Sequence, residues 1–230
     1  MGKNLIQQRR GKGNTRYRSS KHIFIGKPMY SSSMGSEGIV EDIMHSRGRK
    51  LPFAIVDFGG KREMLIPSEG MSVGQKITVN GSAEAGNILE LGKVPEGTKI
   101  FNIELRPLDG GKLCRNPGSF GLLTIRTEKN VVVVLPSKKQ KTLSLQCRAT
   151  IGVPAGGGRQ EKPMLKAGKR YFAMKSTGKL YPNVSKTAMN SVDHPFGGSN
   201  FGKAKTRSHD SSPGAKVGSI SPRRTGKRKR

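Results

Sequence analysis

The chain has no tryptophan, two cysteines, four histidines and only 15 acidic residues among 230. Each shortage removes a class of function. Cys114 and Cys147 lie far apart, with no CxxC pair, so neither a zinc site nor a disulfide framework is indicated. The compartment reads as reducing cytosol. Cys147 ends the alternation Leu143, Leu145, Cys147, which predicts an inward strand position for a small buried thiol. His22, His45, His194 and His209 are scattered, with no pair four residues apart and no HExxH. No Gly-x-Ser-x-Gly elbow occurs, and "PAGGGRQEK" lacks the Lys-Ser/Thr ending of a nucleotide-binding loop. No cofactor, metal or small-molecule substrate is expected. No run approaches the roughly 18 apolar residues of a membrane span. "MGKNLIQQRRGKG" lacks the apolar stretch of a signal peptide, and no Ser or Thr stands at the myristoylation position. A membrane partner is not expected.

What the chain has is positive charge: 43 Lys and Arg, a formal net charge of +28, and a pI near 10.7. Such a surplus repels itself in a compact monomer and implies a polyanionic partner, for which nucleic acid is the working choice. The charge is unevenly placed. Residues 1–36 hold eight Lys and Arg and no acid, and the last thirty hold ten against the single Asp210. Residues 37–104, by contrast, carry ten acids against eight bases.

The apolar residues sort the same way. Of 50 Leu, Ile, Val and Phe, 36 fall within residues 37–153. The remaining segments are too poor in apolar surface to offset the entropy of ordering themselves. A folded centre with two basic extensions follows. Within the centre the hydrophobic period is two. GIVEDIM (38–44), PFAIVDF (52–58), EMLIP (63–67), QKITV (75–79) and NILEL (87–91) form one set of short strands. KIFNIEL (99–105), GLLTIR (121–126), NVVVVLP (130–136), KTLSLQC (141–147) and ATIGV (149–153) form a second. Ten short strands predict a mainly β chain of two small five-stranded antiparallel barrels, meeting at "GKVPEG" (92–97). Beyond 153 comes a glycine loop, then a short helix in KAGKRYFAMKS (166–176), then no period at all.

Aromatic and basic residues interleave in TRYRSSKHIFIGK (15–27) and KRYFAMK (169–175), a pattern that suits base stacking beside phosphate contacts, or ordinary packing on a barrel flank. The RNA-contact candidates of the N-terminal extension are Arg9, Arg10, Lys12, Arg16, Arg18 and Lys21. Those of the barrels and glycine loop are Arg47, Arg49, Lys112, Arg115, Arg148 and Arg159. Those beyond are Lys169, Arg170, Lys175, Asn190, His194, Gly197, Gly198, Lys203, Arg207, Arg223, Arg224, Lys227 and Arg228. In "TAMNSVDHPFGGSNFGKAKTR" (187–207), glycines permit close backbone approach, Pro195 stiffens the path, and Lys203, Lys205 and Arg207 can neutralise phosphates.

Five blocks carry a resemblance: "VPEGTKIFNIELRPLDGGKLCRNPGSFG" (94–121), "CRATIGVPAGGGR" (147–159), "KAGKRY" (166–171), "TAMNSVDHPFGG" (187–198) and "PRRTGKRKR" (222–230). In order and over essentially the whole chain, they resemble large-subunit ribosomal protein two, the universal L-two family, in its archaeal branch. The resemblance implies a basic extension at 1–36, an OB-fold barrel at 37–95, an SH3-like barrel at 96–165, and a basic C-terminal extension at 166–230 threaded into rRNA. It implies a structural, non-catalytic constituent of the large subunit that binds rRNA around the peptidyl-transferase centre. Its other expected partners are neighbouring large-subunit proteins, with small-subunit and tRNA contacts. The family's histidine falls on His194. The chain departs from the family with Ser199 in place of a third glycine, and with Tyr-Pro-Asn-Val-Ser-Lys at 181–186. A free OB/SH3-type RNA-binding translation factor is the alternative, and an enzyme built on His194 a further one; the imidazole reads as a hydrogen-bonding or stacking group on RNA.

Overall fold

The computed structural model describes residues 3–19, 22, 24–159, 161–199 and 205–222. The chain divides into two compact units, one of residues 20–169 and one of residues 1–19 with 170–230.

Among its described residues the first unit holds ten strands, one for each apolar run of the sequence. β1 (Glu37–His45), β2 (Pro52–Asp57), β3 (Arg62–Leu65) and β4 (Lys76–Thr78) form an antiparallel sheet in the order β3-β2-β1-β4. β5 (Ile88–Glu90), β6 (Lys99–Phe101), β7 (Gly121–Arg126), β8 (Asn130–Val134), β9 (Gln140–Ser144) and β10 (Arg148–Ile151) form a second, ordered β5-β10-β6-β7-β8-β9. The protein is mainly β, as the period-two pattern requires. Each sheet curls over its own apolar centre. Val40, Val56, Phe58, Leu65 and Ile77 fill one, and Ile100, Leu123, Val131, Val133 and Cys147 fill the other. Cys147 is fully buried, which raises its thiol pKa. β1 and β7 each carry an irregularity in register, at Val40/Asp42 and Leu123/Ile125, of the kind that bends a strand around a small barrel.

Two details depart from the sequence reading. NILEL was expected in the first barrel, but β5 pairs with β10 across Ile88↔Thr150, Leu89↔Ala149 and Glu90↔Arg148. A single parallel bridge, Val79↔Ile88, links it back to the first sheet's side. The two β layers are therefore not separated at residue 95. The second detail is Tyr30. Residues 20–36, read as extension, belong to the barrel unit. Tyr30 is 2% exposed and its hydroxyl shares a 2.6 Å hydrogen bond with Thr150. Met29 N donates to Met64 O at 3.2 Å, and Tyr30 N to Gly110 O at 3.2 Å. The reason is chemical: a segment poor in aliphatics can still be anchored by one large aromatic ring, which a count of Leu, Ile, Val and Phe omits.

A helix, α2 (Ala167–Ser176), contains the boundary between the units. The other unit contributes the short helix α1 (Ile6–Gly11) and a two-residue parallel pair, β11 (Thr206–Arg207) with β12 (Ser219–Ile220). No helix among the described residues is long and apolar enough to cross a membrane.

Candidate nucleic-acid interface

On the barrel unit, one candidate cation is withdrawn from the surface. Arg148 is 8% exposed and its guanidinium grips Glu104, which is fully buried: Nη2 donates to Oε1 at 2.8 Å and Nε to the same oxygen at 3.2 Å. Nη1 donates to Ser31 O at 3.0 Å, and the guanidinium carbon lies 5.3 Å from the centre of the Tyr30 ring. Arg148, expected on RNA, is thus engaged inside the protein, because a buried carboxylate needs a buried cation. Glu104 also organises the loop that follows it, accepting from Leu108 N at 3.3 Å and Gly110 N at 3.0 Å. Asp109 extends the same arrangement, accepting from Leu105 N, Arg106 N and Gly111 N. These backbone donors and the Lys112 ammonium at 3.4 Å outweigh partial burial and hold the Asp109 carboxyl below its usual pKa.

Arg115 is half-buried and donates to Gly111 O and Pro28 O, so it fastens the loop to the N-terminal strap, the segment of residues 24–36 that precedes β1. Burial, and then the neighbouring Arg49, lower its pKa. Arg49 lies 5.3 Å from the Phe53 ring centre. Arg47 and Arg159 are exposed, Arg159 donating to Lys50 O at 3.0 Å. The glycine loop passes close to residue 118: an added Cβ on Gly118 would stand 3.1 Å from Gly157 Cα.

Cations also reach solvent on the second unit and along α2, which spans the boundary. Arg9 and Arg10 on α1, then Lys12, Arg16 and Arg18, are exposed. Along α2, Lys169, Arg170 and Lys175 are exposed as well, with Phe172 67% exposed beside them. Tyr171 and Phe172 meet edge-on at 5.4 Å, Lys175 Nζ lies 6.0 Å from the Tyr171 ring centre, and Arg170 lies 5.5 Å from that of Tyr181.

Residues 189–198 fold back on themselves. Asp193 N and His194 N both donate to Asn190 O, Gly197 N donates to His194 O at 2.9 Å, and Gly198 N donates to Met189 O at 3.1 Å. Phe196 N donates to His194 Nδ1 at 3.0 Å, and the two rings pack edge to face at 5.0 Å. A neutral imidazole that accepts at Nδ1 carries its proton on Nε2. Desolvation, and secondarily the Lys186 charge, lower the His194 pKa from its ordinary 6.5, which favours the neutral ring. Lys3 Nζ meets Asp193 Oδ1 at 2.7 Å, which pins the N-terminus to this turn. Arg207 is half-buried on β11. Lys21, Lys203, Arg223, Arg224, Lys227 and Arg228 lie outside the described residues.

Sequence reading missed Lys3, Lys186 and the Glu104–Arg148 pair. Only Glu104 left a trace, as an acid embedded in the apolar run IFNIEL.

Comparison with known proteins follows the same lines. The family model described as "Ribosomal Proteins L2, C-terminal domain" matches residues 84–215. Its start falls just before β5, in keeping with the pairing of β5 into the second sheet. "Large ribosomal subunit protein uL2" of Methanothermobacter thermautotrophicus is 47% identical over 241 aligned positions, covering all of both chains. The protein of that name from Methanococcus aeolicus is 49% identical, over 99% of this chain and 100% of its own. That from Methanosphaera stadtmanae is 46% identical, over all of both.

Proposed function

Because this chain belongs to the ribosomal protein L2 family, in its archaeal type, we propose that it fastens rRNA around the peptidyl-transferase centre of the large subunit. It is a structural constituent of the large ribosomal subunit that binds rRNA in the service of translation. Similarity to large-subunit proteins along essentially the whole chain, at 47% and 49% identity, leaves the free-factor reading without support.

The observation that carries the proposal is the charge of the second unit. Its described residues include two acids, Asp193, which pairs with Lys3, and the exposed Asp210, which lies beside the His209 ring at 3.1 Å. The exposed cations of α1, α2 and their flanks are left for phosphate. In this reading the two arms hold rRNA, and Asn190, His194 and Gly198 seat one turn against the RNA, while the buried Gly197, expected on RNA, lets that turn close on itself. Neighbouring large-subunit proteins, the small subunit and tRNA are further partners, and the setting is the cytoplasmic ribosome.

Two experiments test this. The affinity of the full chain for a large-subunit rRNA fragment should fall with salt by roughly 0.7–0.9 log units per log unit for each phosphate contacted. Replacing Arg9, Arg10 and Lys175 together by Gln should flatten that slope; an unchanged slope would mean these cations face solvent. The second concerns chemistry, which the proposal leaves to RNA. Fully assembled His194→Ala subunits should retain a near-normal single-turnover rate of peptide-bond formation. Loss of a true general base would slow that step by about 10²–10⁴-fold.

A further inference from the structure

Within the second unit, α1 and residues 183–195 and 213–217 enclose an open cavity of about 840 Å³. Leu5, Ile6, Val184, Val192, Pro195 and Val217 give it a substantial apolar lining, and Val184 and Val192 are more than half exposed. Its cations are Lys3, Arg9, Arg10 and Lys186. Asp193 is the single acid among the described lining residues, and Lys3 already neutralises it at 2.7 Å. The cavity thus joins an apolar surface to three cations with no carboxylate of their own in the lining.

We propose that this cavity receives one unstacked nucleotide of the rRNA, its base against the apolar lining and its flanking phosphates on Arg9, Arg10 and Lys186. The volume lies within the range that holds a small organic ligand, about 300–1,000 Å³. A base paired within a duplex has its faces covered by its neighbours, whereas a splayed-out base offers a flat apolar face and free hydrogen-bonding edges. His194 lines the cavity with Nδ1 occupied by Phe196 N, which leaves Nε2–H as the donor available to a base edge. The inference rests on the rRNA-binding reading above and adds to it the kind of RNA element taken at this place.

The test uses the full chain, a single-stranded pentaribonucleotide, and a blunt RNA duplex of stable sequence. Val192→Trp fills the cavity without removing a charge. It should weaken pentamer binding by about tenfold or more while leaving duplex binding within about twofold. Val184→Trp should do the same. In the wild-type chain, which needs no variant to fold, saturating pentamer should shift the His194 ring proton resonance, and the duplex should not. If both RNAs bind but the His194 signal stays still, or the filled cavity binds pentamer as before, the cavity proposal is overturned and the rRNA reading stands. If neither RNA binds, both fall. A hexaglutamate peptide that moves the His194 signal as far as the pentamer does would overturn the proposal in favour of an acidic protein segment.

Discussion

Glu104→Ala is expected to cost the barrel unit about 3–5 kcal/mol, a large share of the roughly 5–15 kcal/mol typical of a domain. The substitution leaves the Arg148 guanidinium buried without its carboxylate and strips acceptors from Leu108 N and Gly110 N at the same time. Urea denaturation of the full chain followed by far-UV circular dichroism reads the effect as a lowered transition midpoint. The paired change Glu104→Leu with Arg148→Met should recover the part of the loss due to the unpaired buried charge, while Leu108 N and Gly110 N stay without their acceptor. A single variant with a wild-type midpoint would show that water or the loop compensates for the missing carboxylate. Because Arg148 also reaches Ser31 O and the Tyr30 ring, the N-terminal strap should loosen in the same variant.

Gly197→Ala should damage the 189–198 turn more than His194→Ala does. An alanine Cβ at 197 would run into Met189 O and Asn190 O, closer than real side chains approach a carbonyl. Those carbonyls accept from Gly198 N, Asp193 N and His194 N, so one methyl group displaces the acceptors of three hydrogen bonds. Overpacking of this kind costs about 1–3 kcal/mol, and each bond lost adds about 0.5–1.5 kcal/mol. Amide hydrogen exchange at Asp193, His194 and Gly198 should quicken by roughly tenfold to a hundredfold or more in the full chain. Affinity for a large-subunit rRNA fragment should drop with it if this turn must be pre-formed to bind. His194→Ala keeps the backbone bonds and loses the ring contact with Phe196, so its exchange should change far less. Equal effects from the two substitutions would place the strength of the turn in the ring and not in the close approach of the backbone.

Local pattern carried most of the fold. Short apolar, mostly alternating runs located all ten barrel strands, because a strand that buries one face writes period two into the sequence. β10 is buried at all four positions and shows as the apolar run ATIGV. Alternation also placed Cys147 inward. Pairing across the chain is another matter. Nothing in NILEL distinguishes a partner at β4 from one at β10, since either would cover the same Ile and Leu. KIFNIEL ends as a strand at Phe101 because Asn102 turns to φ 50°, a conformation that Asn tolerates but does not announce. Charge was legible in amount and only partly in place. Exposed Arg9 and buried Arg148 look alike in a list of cations, and the difference lies in Glu104, 44 residues away from Arg148. The turn around His194 was recognisable from its glycines and Pro195. The pairing of Lys3 with Asp193 spans 190 residues and had no local signal.

The hydrogen bond between Tyr30 and Thr150 also sets a timetable. Its two ends are separated by 120 residues, and the strand that carries Thr150 closes against β5 and β6, both made earlier. A nascent chain growing at about 5–20 residues per second reaches Thr150 some 6–24 s after it has made Tyr30. Until then the tyrosine hydroxyl has no Thr150 to meet, and β5 and β6 wait for the strand that will lie between them. Long-range closure of this kind is slow to form. For that interval the newborn protein exposes unpaired strand edges beside a strongly cationic leader, a form more adhesive to other chains and to stray RNA than the finished molecule.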